Sequence, residues 1–286
     1  KENINQKYKL LEKFESPAIP VDVDEIKDYR EKSLEKINNE LLEKNLNLDV
    51  DRQFLDPPLF YYSYDDKNNL ELSKKLNLLF RNSYPDLNQK FPINYKDNEK
   101  IKIGFVSKYF KNHTISKLFK GLILNLDNSL FDIYIFHLDN GKEIDEEYLT
   151  HEKNGKLKIF KLPKLFKEKI NTILSQNLDL VFYPDIGMST QLFYLTFLRL
   201  AKYQITSWGH PETTGNPNID YFLSSKLLEI DFDSAKNHYT EELILMDHLP
   251  MYFFKPKIKK IDDDELVSKN IYSCPQTLFK IHPDFD

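Results

Sequence analysis

From Lys100 onward, short apolar runs of β-type residues alternate with stretches whose apolar positions recur at helical spacing, and this alternation limits the folds open to the chain. The run Ile101–Ser107 reads as a buried strand, and Ile115–Leu126 follows as a helix with Leu118, Phe119, Leu122 and Leu126 on one face. Phe131–Leu138 and Leu157–Phe160 are again strand-like; Phe166, Ile170, Ile173 and Leu174 mark a helix; Leu178–Asp185 is a strand and Thr190–Leu200 a helix. A strand at Tyr203–Ser207 and further candidates at Ile219–Leu223 and Leu243–Met246 complete the series. Strands separated by helices form βαβ units, so the expected fold is α/β, a Rossmann-like parallel sheet with helices on both faces. Ligands of such open sheets sit beyond the carboxyl ends of the strands. Asn112-His113, Asp185-Ile186-Gly187 and Gly209-His210-Pro211 all fall at such ends.

The first hundred residues have a different texture. No glycine precedes Gly104, and the apolar spacing is helical. Leu34, Ile37, Leu41 and Leu48 form one stripe, weakened beyond Asn45; Leu70, Leu72, Leu76 and Leu79 form another, ended near Pro85. Between them, prolines disfavour helix over Leu55–Pro58. The segment reads as a helical cap of tetratricopeptide-like type. The expected division is a helical lead-in over 1–97, a Rossmann-like domain over 98–258, and, over 259–286, an acidic linker at Asp262–Glu265 with the opening of a second domain, its first strand at Cys274–Lys280. The chain is read as a fragment of a longer protein.

The glycines concentrate the functional signal. There are only seven, and two of them, Gly209 and Gly215, flank one polar loop after the sole tryptophan, Trp208. Glycine at a strand end lets backbone amides approach a ligand closely. A formal charge of −5 argues against a nucleic-acid partner. The lysine-rich run Lys156–Lys169 carries interleaved apolar residues and reads as solvated strand, turn and helix. Cys274 is the only cysteine, so no intrachain disulfide is available, and no multi-cysteine metal site either. No run approaches membrane-spanning length, and the expected location is cytoplasmic, with no membrane partner. P-loop, G-x-G-x-x-G and G-x-S-x-G patterns are absent, against NTPase, dinucleotide and serine-hydrolase readings.

Five ordered segments carry a resemblance: Gly104–Gly121, Leu178–Met188, Ile205–Ser225, His238–Met246 and Cys274–Pro283. Together they resemble the catalytic region of the O-linked N-acetylglucosamine transferase family, in particular its bacterial SPINDLY-like members, over roughly residues 55 to 286. The resemblance implies a metal-independent, inverting GT-B glycosyltransferase with no cofactor besides its nucleotide-sugar donor. On this reading it moves N-acetylglucosamine from UDP-GlcNAc to Ser or Thr hydroxyls of a protein or peptide acceptor. The missing C-terminal domain of the same chain would hold most of the donor, leaving the isolated fragment inactive. Carried over by position, His113 matches a histidine beside the donor sugar, with roles as base or as an orienting group both open. Asp185, Gly209, His210, Pro211 and Thr213 fall at substrate-binding positions, and Lys280 with Thr277 at the donor diphosphate. Animal members carry tyrosine in place of His210, and a neutral residue in place of Asp185.

The residues by themselves also allow plainer roles. His113 precedes a helix and fits an N-terminal turn. Asp185 fits a helix cap, and His210 sits in a turn that its glycine and proline neighbours already explain. Thr213 and Thr214 fit satisfaction of loop amides, and Trp208 fits core. Two alternatives to the first function stand beside it: a related protein glycosyltransferase using GDP-fucose or UDP-glucose, and a non-catalytic protein-binding module.

Overall fold

The computed structural model describes residues 17–42, 46–53, 55–57, 59–96, 98–138, 143–229, 231–255 and 273–285. Among these residues seven strands form a single sheet: β1 (Ile101–Ser107), β2 (Phe131–His137), β3 (Lys158–Lys161), β4 (Leu180–Tyr183), β5 (Tyr203–Thr206), β6 (Tyr221–Ser225) and β7 (Glu242–Met246). The order is β3-β2-β1-β4-β5-β6-β7, and every pairing is parallel. The expected α/β doubly wound architecture is therefore present. The order reverses between β1 and β4, which opens a crevice at the carboxyl ends of those two strands.

Alternation along the strands decides which helix covers which face, because successive side chains point to opposite sides. Val106, Tyr134, Phe136, Val181 and Tyr183 enter one core, with α6 (Phe166–Leu174) and α7 (Thr190–Thr196). Ile103, Phe105, Ile133, Ile135 and Phe182 enter the other, with α4 (Thr114–Leu124) and α5 (Glu146–Lys153).

The helical lead-in supplies α1 (Val23–Leu42), a short α2 (Leu59–Tyr62) and α3 (Leu70–Ser83), followed by a 3-10 turn at Pro85–Asn88. Their apolar stripes do not form a separate core. Ile26, Ile37, Leu72, Leu76, Leu79 and Phe80 join the same buried cluster as the first face of the sheet. Phe80 is the bridge: its ring meets Phe193 at 5.2 Å edge-on, Tyr194 at 6.0 Å and Phe197 at 6.5 Å. Arg81 lies over the Phe197 ring at 4.9 Å.

Three expectations differ from what is observed. Leu48 continues the stripe of α1 in sequence but lies past the end of that helix. It is buried in a loop, its N–H donating to the Ser83 carbonyl at 2.9 Å. The helix begun at Thr190 stops at Thr196 rather than Leu200, closing in 3-10-type turns from Phe197 and Leu198. The Cys274–Lys280 stretch, expected as a strand, ends in a 3-10 turn at Leu278–Lys280, and a second follows at Pro283–Phe285. Apolar alternation makes a strand only where a neighbouring strand takes up its N–H and C=O groups, and no described strand flanks this one. The acidic linker Asp262–Glu265 lies outside the described residues.

Because lead-in and sheet share one core, Phe80→Ala should destabilise both together. The expected cost is ~3–5 kcal/mol in one cooperative urea transition followed by far-UV and Trp208 signals. Two separated transitions, with the Trp208 signal unmoved, would show the lead-in to be an independent unit.

Candidate functional site

The crevice is lined from three loops, each leaving the carboxyl end of a strand. After β1, the Ser107 hydroxyl accepts from the Tyr109 N–H at 3.0 Å and turns the chain toward α4. His113 has extended backbone and is the N-cap of that helix, its Nδ1 accepting from the Ile115 N–H at 3.2 Å. Its imidazole stacks on the Tyr109 ring with centroids 4.0 Å apart and 19° between planes. The Tyr109 hydroxyl crosses the switch point and donates to the Met188 carbonyl at 3.1 Å. Desolvation pushes the His113 pKa below its ordinary value, and Lys111, Lys108 and Lys117 push it the same way.

After β4, Asp185 is fully buried, and neither carboxyl oxygen has a well-formed hydrogen bond among the described residues. Burial raises its pKa to about 7, opposed only by the nearby Ser107 hydroxyl and the charge of Lys108. Asp185 also bears on Tyr109, whose hydroxyl is pushed up to about 12, by burial first and by the carboxylate second.

After β5 the chain passes against the β4 loop so closely that side chains are excluded. A β-carbon on Gly209 would lie 1.8 Å from the Pro184 carbonyl oxygen. Gly187 has φ +99°, and the space its β-carbon would take is filled by the His210 ring at 3.1 Å. His210 is buried, its Nε2 3.0 Å from the Ser63 hydroxyl and its ring 6.2 Å from Phe60. Desolvation lowers its pKa to about 4. His210 thus ties the β4 loop, the β5 loop and the turn after α2 together as a neutral ring.

The remainder of that loop is bound to α3 and to the start of β7. The Thr213 hydroxyl donates to Glu241 Oε2 at 2.7 Å, and the Thr214 N–H donates to Oε1 at 2.8 Å. The Asn77 amide donates to the Thr214 carbonyl at 2.7 Å. Gly215, at φ +65°, runs against the Ser73–Lys74 backbone. Pro211, Glu212 and Thr213 border a polar cavity of about 360 Å³, shared with Ser63, Asn68 and Asn69. Burial raises the half-buried Glu212 carboxyl to about 7.

The structure therefore brings His113, Asp185, Gly209 and His210 to one edge of the sheet, with Pro211 and Thr213 at a cavity beside it. The Thr213 hydroxyl donates to Glu241 and accepts from the Thr240 N–H at 3.0 Å, the second being the amide-satisfying role its sequence context allows. Lys280 sits elsewhere: its ammonium lies 5.6 Å over the Tyr64 ring, and Phe279 packs among Phe60, Tyr61 and Tyr64. Thr277 is exposed and precedes that turn. Trp208 donates to the Ser224 hydroxyl at 3.1 Å and packs on the small Phe222 cluster. Sequence reasoning missed Tyr109, Ser63 and Glu212. The signal for Tyr109 was its place in the same strand-end loop as Asn112-His113; nothing local marks Ser63, which lies 147 positions from its partner. Among the described residues no three His, Cys, Asp or Glu side chains group as a metal site, and no helix is long and apolar enough to cross a membrane.

No family model matches the chain. Two curated relatives do. One is a UDP-glucose:protein N-beta-glucosyltransferase of Actinobacillus pleuropneumoniae serotype 5b, 25% identical over 205 residues, 68% of this chain and 31% of the relative. The other is the enzyme of the same name from serotype 7, 29% identical over 154 residues, 51% of this chain and 22% of the relative. The chain thus spans less than a third of the curated relatives it matches. Among solved structures, a K341M mutant of Thermobaculum terrenum O-GlcNAc transferase superposes with a TM-score of 0.55 at 16% identity, covering 80% of this chain and 41% of that one. At that identity the likeness is one of fold.

Two outcomes follow from the geometry. Gly209→Ala should cost several kcal/mol, because the clash is with backbone that cannot move independently; a melting temperature within a degree of the wild type would refute the close approach. Asp185 binds its proton in the folded chain up to about pH 7, whereas the unfolded chain releases it near 3.8. Its stabilising contribution is thus present below pH 4 and lost as pH rises through 7. Asp185→Asn should match the wild type at pH 3 and exceed it by ~2–4 kcal/mol at pH 8. Equal stability at both pH values would mean that Asp185 is not desolvated.

Proposed function

We propose that the protein is a glycosyltransferase that moves a sugar from a UDP-sugar onto a polypeptide, with the crevice between β1 and β4 as part of its sugar site. The observation that carries this is the convergence of Asn112-His113, Asp185–Gly187 and Gly209–Pro211 at the point where strand order reverses. The names of the sequence relatives supply the chemistry. In such a transfer an acceptor nitrogen or oxygen attacks the anomeric carbon and gives up its proton to solvent or to the departing diphosphate, the bond from that carbon to the phosphate oxygen breaks, and the nucleoside diphosphate leaves with the electron pair. The lysines around His113 and the N-terminus of α4 give the β1 side of the crevice a positive field suited to an anionic ligand. Asp185 lies buried beneath this edge, where it shapes the floor of the crevice. Lys280 and Thr277 are assigned to the diphosphate on the resemblance alone.

Glucose takes first place as the sugar, because both sequence relatives use UDP-glucose by name and share 25–29% identity over the matched regions. N-acetylglucosamine, the expectation from the motifs, stands second on the fold relative. Full-length protein incubated with UDP-glucose, UDP-GlcNAc or GDP-fucose and acceptor polypeptides should give a hexose mass increment with the first. An N-acetylhexosamine or deoxyhexose increment would reassign the donor, and neither transfer nor hydrolysis with any of the three would sink the reading. Within it, His113→Ala should lower kcat/KM by ~10²-fold; near-wild-type turnover would remove His113 from the site.

A further inference from the structure

We infer that His113 works as a neutral hydrogen-bond donor through Nε2–H, and is not the proton acceptor of the reaction. The argument starts at the helix cap. The first backbone N–H groups of α4 have no partner within the helix, and a residue at the cap satisfies one of them only by offering a lone pair. His113 does this with Nδ1, toward the Ile115 N–H at 3.2 Å. In a neutral imidazole one nitrogen donates and the other accepts, so a lone pair committed at Nδ1 places the proton on Nε2. No described residue accepts from Nε2, which leaves that proton for a ligand oxygen.

Every neighbouring influence holds this form. Protonating Nδ1 would turn the cap into a clash of two donors at the positive end of α4. Lys108 and Lys111 from the β1 loop and Lys117 from α4 itself oppose a positive ring. On the β4 side, the charged group is Asp185, which bears on Tyr109 and Lys108 and is itself largely proton-bound below pH 7. The stack on Tyr109, anchored in turn to the Met188 carbonyl, fixes the plane in which Nε2–H points. A base would need the other tautomer, with Nε2 bare, and reaching it would break the cap. The ligand class is therefore an oxygen acceptor: a sugar hydroxyl, an N-acyl carbonyl or a phosphate oxygen of the donor.

The role rests on the nucleotide-sugar reading of the crevice; the tautomer does not, and the test separates them. Protein labelled with ¹⁵N-histidine would be examined by long-range ¹H–¹⁵N correlation, with His113→Asn identifying the signal. The expected result is a protonated Nε2 and a bare Nδ1 at pH 7, a titration midpoint below that of free histidine, and a shift of the Nε2 signal on adding UDP-glucose. A proton on Nδ1 and a bare Nε2 at pH 7 would overturn the proposal. So would an Nε2 signal unmoved by a nucleotide sugar that the protein turns over. Protein that turns over none of the three sugars sinks the reading of the crevice and the donor role with it, while the tautomer is still measured directly.

Discussion

The Pro184 carbonyl occupies the space where any residue but glycine would place a β-carbon at position 209, and the geometry of the crevice descends from that contact. With the β4 and β5 loops pressed backbone to backbone, the side chain of the next residue has one place to go. The His210 ring turns under Gly187, into volume that a left-handed glycine leaves open, and reaches the Ser63 hydroxyl of the lead-in. Moving either glycine would displace the histidine, and with it the segment that holds Asp185 and Met188. Tyr109 then reads the position of that segment through Met188 and passes it to His113 by stacking. Three strand ends are linked in this way without a single ion pair.

The absence of charge is itself a consequence of burial. Asp185 and His210 are both fully enclosed, and enclosure drives them toward the same neutral state from opposite directions, a carboxyl raised to about 7 and an imidazole lowered to about 4. Below pH 7 the floor of the crevice therefore carries little fixed charge, in contrast to its lysine-bearing β1 rim. Such a division suits a ligand with an uncharged polar end and an anionic end, because each end meets the surroundings that cost it least desolvation.

Much of the sheet could be read from the chain alone, and the reason is physical. Parallel strands buried on both faces need continuous apolar runs, and runs such as Ile101–Ser107 and Phe131–His137 have few alternative structures open to them. The polar clusters could be placed for the same reason, since a strand end is a fixed position in a doubly wound fold. What could not be read were contacts between distant positions. Asp185 showed as a polar residue after a strand, but not as a fully buried carboxyl, because its burial depends on what the folded chain packs around it. His210 drew attention as a loop residue, yet its partner Ser63 lies in another segment. The Cys274–Lys280 stretch had the composition of a strand and lacked the neighbours that make one.

The lead-in illustrates the same limit at the scale of domains. Its helical texture separates it cleanly from the sheet in sequence, and a boundary near residue 97 follows naturally from that change. In the folded chain the boundary marks a change of secondary structure rather than of core, since Phe80, Leu76 and Leu79 pack into the cluster that includes Val181 and Phe193. The crevice inherits this. Ser63 holds His210, Asn77 and the Ser73–Lys74 backbone hold the loop from Thr214 to Gly215, and Asn68 and Asn69 face Glu212 across the polar cavity. A helical segment that merely tethered a partner would have no need to satisfy hydrogen bonds inside the loops of the sheet. By doing so it becomes part of the wall of the crevice, and the lead-in and the β5 loop present one surface.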